Sequence, residues 1–130
     1  MARTLRVLVW AMGIACVAIG LYHVALGNAA VPGAEDAGAT VDSFGRFMGA
    51  ILAGYGLAWL WAARQSPIPA VAVRLLTGIF LLGGLSRVLS IAVEGRPHGF
   101  QVLLMVIELA LPLVYFWIAG AEERMVRARV

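Results

Sequence analysis

Apolar residues run along this chain in four long blocks, at about Leu5–Gly27, Phe44–Ala63, Ala70–Val93 and Gly99–Gly120. Each has roughly the 20 residues a helix needs to cross about 30 Å of hydrocarbon. Between them lie Asn28–Ser43, rich in Gly, Ala and acidic residues, then Arg64–Pro69 (RQSPIP) and the short Glu94–His98 (EGRPH). Gly, Pro and polar punctuation of this kind marks turns. No block is amphipathic enough to lie flat on a membrane surface, and nothing outside the blocks is large enough for a soluble domain. The pattern predicts an all-α protein, a four-helix transmembrane bundle running up-down-up-down, as a single integral-membrane domain over residues 1–130.

Composition strengthens that picture. Of 130 residues, 62% are hydrophobic and 13% charged, more apolar surface than a water-soluble domain of this size can bury. The net charge of +3 therefore points to no nucleic-acid partner; the arginines orient the chain in a membrane. All ten basic residues are Arg, which suggests a GC-rich bacterial genome of the actinobacterial kind and places the protein in a bacterial plasma (inner) membrane. A single cysteine, Cys16, excludes an internal disulfide and any paired-cysteine motif. Arg3 and Arg6 before an apolar stretch ending in LGNAA also have the outline of a secretory signal, and GIAC at Gly13–Cys16 hints at a lipoprotein site. GIAC lies mid-block and has Gly where Leu is usual, so the stretch reads as a first span.

Arginine placement sets a direction. Arg3, Arg6, Arg64, Arg74, Arg124, Arg127 and Arg129 fall on one side, and Arg46 and Arg96 with four carboxylates on the other. Both termini are then cytoplasmic. Trp59, Trp61 and Trp117 fall near the cytoplasmic helix ends, as an interfacial aromatic belt would place them.

Small residues recur at helical spacing and let membrane helices approach closely. The first block carries Gly13, Gly20 and Gly27, and the second Gly45, Gly49 and Ala53. Such a seam packs the two helices on each other or docks another protein. On the third block Gly83, Arg87, Ser90 and Glu94 share a face. Pro112 in the fourth is expected to kink its helix and free a backbone carbonyl.

Charges inside apolar blocks carry more information, because each is costly unless accommodated. At 1.5 Å per residue Arg87 lies about 9 Å below the end of its helix and Glu108 about 13 Å below the start of the next. The tight turn between them makes these helices antiparallel neighbours, so an Arg87–Glu108 ion pair is the cheapest arrangement. His23, Arg46, Ser90 and Gln101 are predicted in the same outer half. Four helices would then converge on a buried, outward-opening polar pocket. Surplus arginine there suits an anion such as a lipid headgroup; a purely structural polar network is the plainer reading. His23, Asp42, Glu94 and His98 lack metal-ligand spacing, so no metal and no cofactor is expected. Arg64 and Arg74 are expected to snorkel to the cytoplasmic surface, and EERMVRARV (Glu122–Val130) to extend the last helix there.

The segments SFGRFMG (Ser43–Gly49), VRLL (Val73–Leu76), GGLSRVLS (Gly83–Ser90) and GRPH (Gly95–His98), with the lone Glu108, resemble an uncharacterised bacterial family of four-helix membrane proteins. That family is a domain of unknown function similar to the DoxX-like superfamily. The resemblance covers most of the chain, leaving out the acidic first loop and the tail. It implies a fold and no reaction.

Three functions fit the residues. A small non-catalytic accessory subunit of a larger cell-envelope complex, such as a lipid transport system, would account for the missing catalytic motif and the abundance of close-packing small residues. Its partners would be membrane lipids and other integral-membrane subunits. A small proton-coupled transporter would use one membrane carboxylate, but such four-helix exporters carry it on the first helix, where this chain has His23. A membrane enzyme acting on a lipid or quinone would use Glu108 or His23 as acid or base and Arg87 as oxyanion stabiliser. A carboxylate tied to arginine is a poor proton donor, which weighs against the enzyme.

Overall fold

The structure is a computed structural model that describes every residue, Met1–Val130. Helices form where the apolar blocks lie: α1 Ala2–Leu26, α2 Gly38–Arg64, α3 Ala70–Glu94 and α4 Gly99–Ala128. They pack up and down as two antiparallel hairpins, α1 with α2 and α3 with α4. Three segments are long and apolar enough to cross a membrane: Ala2–Ala30, Ala70–Glu94 and Gly99–Ala128. The second block, expected to be a fourth span, falls short of that standard. Gly, Tyr and Trp, with Arg46, dilute its hydropathy, although α2 runs beside α1 for its whole length.

The helix ends follow from local chemistry. Gly27 closes α1 with φ of 58° and its N–H on the His23 carbonyl, a backbone conformation that a residue without a Cβ adopts at little cost. A 3-10 turn, Gly27–Ala30, follows. Pro69 precedes α3, where a missing N–H leaves no helix bond unmade. The His98 ring starts α4, its Nδ1 accepting from the Phe100 N–H at 3.1 Å.

Small residues set the α1–α2 contact. Gly13 lies against Leu60, Gly56 against Val17, and Gly20 against the backbone of Gly49 and Ala53. A Cβ on Gly20 would come within 2.5 Å of Ala53 N and the Gly49 carbonyl oxygen. Most of the small-residue seam considered for a partner is therefore enclosed in this hairpin. Gly27 meets Asp42 in the connection, and Gly45 meets nothing within 4 Å.

Two arginines finish the hairpin reciprocally. Arg6, near the start of α1, donates to Ala63 O at 2.6 Å and Gln65 O at 3.0 Å, at the end of α2. Arg46, near the start of α2, donates to Val24 O at 2.6 Å and Ala25 O at 3.2 Å, at the end of α1. Each guanidinium thus serves carbonyls that have no partner within their own helix, at its negative pole.

The hairpins meet at the end that holds both termini. Leu5, Val9 and Cys16 of α1, Trp59 of α2, Val73 of α3, and Tyr115 and Ala119 of α4 form one buried core there. The Tyr115 hydroxyl donates to Leu8 O at 2.8 Å and the Tyr55 hydroxyl to Leu76 O, each crossing from one hairpin to the other. Trp59, expected in an interfacial belt, is instead fully buried between Tyr55 and Tyr115, while Trp61 and Trp117 are exposed. Arg74 does not simply snorkel: it pairs with Glu123 of α4 at 2.6 Å. Toward the distal end, away from the termini, packing thins. Beyond Cys16, Gly56, Thr77 and Pro112 the buried residues are only Gly20, Gly27, Ala30, Gly49 and Gly84, so no large side chain is enclosed there.

Candidate functional site

The interior stripe of α3 runs Val73, Thr77, Phe80, Gly84, Arg87, Ile91 at helical spacing, buried or half-buried throughout. Near the termini it joins the core; past Gly84 it reaches the thinly packed half and turns polar. On α4 the matching stripe runs Tyr115, Pro112, Glu108, Gln101. Gly84 brings the two together, since its missing Cβ would stand 3.1 Å from the Glu108 Cβ. Gly84 therefore makes the approach, whereas Gly83, placed on the Arg87 face from sequence, has nothing within 4 Å. Gly83 and Gly84 lie four and three residues before Arg87, both on its helical face, so spacing alone does not separate them.

Arg87 Nε donates to Glu108 Oε2 at 2.6 Å and Nη1 to Gln101 Oε1 at 2.8 Å. The Glu108 side chain is 16% exposed and that of Arg87 35%, so the pair is sheltered on the carboxylate side and open on the guanidinium side. Pro112 lacks an N–H, which removes the usual partner of the Glu108 carbonyl in the same turn. A cleft of about 190 Å³ opens beside Arg87, lined by Ser90, Ile91, Pro97 and Gln101. Ile91 and Pro97 escaped the sequence reading because neither residue type carries chemistry; only the folded turn places them.

The other two residues of the expected polar set lie elsewhere. Arg46 and His23 belong to the α1–α2 hairpin and make no hydrogen bond or ion pair with the Arg87 group. His23 Nδ1 bonds its own helix at Ile19 O, 2.8 Å away, and its Cβ lies over Gly49. Arg46 pairs with Asp42 at 2.7 Å while serving the end of α1, and is exposed. Ser90 is exposed as well. The structure therefore divides the set: Arg87, Glu108, Gln101 and Ser90 sit together, with Arg46 and His23 apart. The reason is the thin packing of the distal half, where the hairpins do not close into a four-helix core.

Carboxylates in the first loop and near the start of α2 are also engaged. Arg46 above all, with the Asn28 N–H at 2.9 Å, holds the Asp42 carboxyl below its ordinary range. Backbone N–H groups, including that of Gly33, do the same for Glu35. No three His, Cys, Asp or Glu side chains are grouped to hold a metal ion.

A family model described as Domain of unknown function (DUF4345) matches residues 4–119. The chain belongs to that family. The matched range takes in Arg87, the three polar residues grouped with it and the acidic first loop, and stops short of the Glu122–Val130 tail. Among curated proteins and among solved structures no match is found.

Proposed function

We propose that this member of the DUF4345 family is a small, non-catalytic accessory subunit of a larger membrane complex of the cell envelope, with lipid transport systems the first partner class to test. The reading takes α2 as a fourth span and both termini as cytoplasmic, which directs the distal half and its polar cleft outward. The likeness to DoxX-like proteins agrees with four spans. One observation carries the reading: the hairpins share a core only at the terminal end, while the distal half encloses no residue larger than alanine. Apolar helix faces there, Leu82, Leu85 and Leu89 of α3 and Leu103 and Val106 of α4 among them, lack cover from the chain itself. Lipid satisfies such faces, and so do the helices of another subunit packing by shape. A chain whose mass is almost wholly in its membrane helices acts through those faces.

Solubilising native membranes in mild detergent and identifying what accompanies the tagged protein tests this. The expected result is an integral-membrane partner at fixed stoichiometry. Recovery of the chain alone in several mild detergents would overturn it and favour a free-standing transporter.

A further inference from the structure

The cleft beside Arg87 has a one-sided inventory of hydrogen-bonding groups. A guanidinium has donors only, so the Gln101 side chain must face it with Oε1, at 2.8 Å, which leaves Nε2 with two unused N–H donors. Arg87 Nη2 has no partner, since its bonds to Glu108 and Gln101 run through Nε and Nη1. Ser86 bonds back to Gly83 O at 2.7 Å, whereas the Ser90 hydroxyl makes no hydrogen bond and lines the cleft. Three side chains thus bring unused donors to one opening, and the carboxylate that neutralises Arg87 is not part of its lining. The complement of such a site is a group made of acceptors.

Charge and size narrow it further. Arg87 and Glu108 cancel, as do the neighbouring charges of Arg96 and Glu94, so the site favours one negative charge over two. The volume, about 190 Å³, corresponds to roughly six waters at liquid density. It falls below the ~300 Å³ at which pockets begin to hold a whole small molecule. A headgroup fragment fits, with the rest of its molecule outside. Pro97 of the α3–α4 turn lines the cleft, so its mouth is at the distal helix ends, where a membrane's headgroups begin.

We propose that Arg87, Gln101 and Ser90 form a binding site for a singly charged oxyanion, a phosphodiester or carboxylate, presented by a membrane lipid. This deepens the subunit reading, on which it rests for the membrane orientation, by naming what the distal cleft holds.

The test uses the purified full chain in detergent, with phosphatidylglycerol or diacylglycerol of the same acyl chains added, and native mass spectrometry to count retained lipid. Wild type should retain phosphatidylglycerol about tenfold over diacylglycerol, the ratio one charge-assisted hydrogen bond supplies. Gln101→Glu keeps an oxygen for Arg87 and replaces the donating amide with negative charge, and should abolish the preference. Ser90→Ala removes a hydroxyl with no partner in the fold and should reduce it severalfold. Unchanged thermal unfolding of both variants shows that the fold persists. Equal retention of the two lipids by wild type, or full preference in Gln101→Glu, would overturn the proposal. If inorganic phosphate instead raises the melting temperature of wild type but not of Gln101→Glu, while phosphatidylglycerol is not preferred, the donor site stands and the lipid source falls. Because no partner is present in this assay, its failure leaves the subunit reading intact, and absence of a co-purifying protein leaves this result intact.

Discussion

At the scale of single residues, the arginines fall into two kinds of work. Arg6 and Arg46 serve helix ends, whereas Arg87 serves side chains on a neighbouring helix. For Arg87 and Glu108 the consequence is measurable. Breaking a fully buried pair in a soluble protein costs about 3–5 kcal/mol, but the Arg87 side chain is 35% exposed, and water reaching it screens the loss. Arg87→Ala and Glu108→Ala should each destabilise the protein, with a coupling of about 1 kcal/mol in the double-mutant cycle. Denaturant titration in bicelles measures it, and strict additivity would mean that the pair contributes nothing. The pairing is legible in the sequence, since a short turn puts the two residues at matching depths. The role of Arg46 is not, because a guanidinium in an apolar block looks the same whether it faces a pocket or the end of another helix. Asp42 adds a pH dependence. Its carboxyl is held below the ordinary value, so its contribution is complete above about pH 4 and is lost as pH falls through the lowered folded value. Hydrogen exchange at the Asn28 amide, which Asp42 accepts, should lose protection in acid after correction for intrinsic rate. Asp42→Asn should remove that pH dependence, and wild-type protection that persists well below pH 4 would contradict the contact.

At the scale of elements, glycines of equal frequency in the sequence have unequal work. A Cβ at Gly20 meets backbone of α2 at 2.5 Å, which cannot move aside as a side chain can, while one at Gly45 meets nothing within 4 Å. Gly20→Ala should therefore force α1 and α2 apart and lower stability by several times the effect of any exposed substitution. Gly45→Ala should be neutral or stabilise by up to about 1 kcal/mol through helix propensity. Thermal unfolding of both variants in the same bilayer mimic compares them directly, and equal effects would mean that the α1–α2 seam is looser than described. Four helices were readable because blocks of some 20 apolar residues between Gly- and Pro-bearing turns have no other stable form in lipid. Which glycines pack was not. The spacing of Gly13, Gly20, Gly45 and Gly49 is identical for a seam within the chain and for one between chains, and only the register of α1 on α2 distinguishes them. For the same reason Gly83 and Gly84, adjacent in sequence, exchange roles once α4 is in place.

At the scale of the whole molecule, the distribution of packing and the distribution of charge give the same axis. The terminal end holds the aromatic core, Arg6, Arg64, Arg74 and the arginine-rich tail; the distal end holds the open half, the Arg87 cleft and most of the loop carboxylates. The sequence carries the charge half of this axis, but not the asymmetric packing, because apolar positions facing lipid and apolar positions facing a partner helix are the same residues. Trp59 illustrates the loss: counted as an interfacial ring from its depth alone, it is the centre of the only large core. The arginine excess at the terminal end predicts that this end stays in the cytoplasm, and labelling from outside intact cells decides it. The first loop is the natural reporter, but Gly33 is the wrong position, with φ of 90° and His98 2.9 Å from where a Cβ would stand. Ala37 is exposed, with φ of −71° that any residue adopts, so Ala37→Cys should leave the fold alone. Native Cys16 is buried in the core and contributes little background. An impermeant maleimide should mark Ala37→Cys in intact cells and mark Val130→Cys only after lysis. The opposite pattern would reverse the molecule, place the Arg87 cleft in the inner leaflet, and remove an outward lipid source from the proposal above.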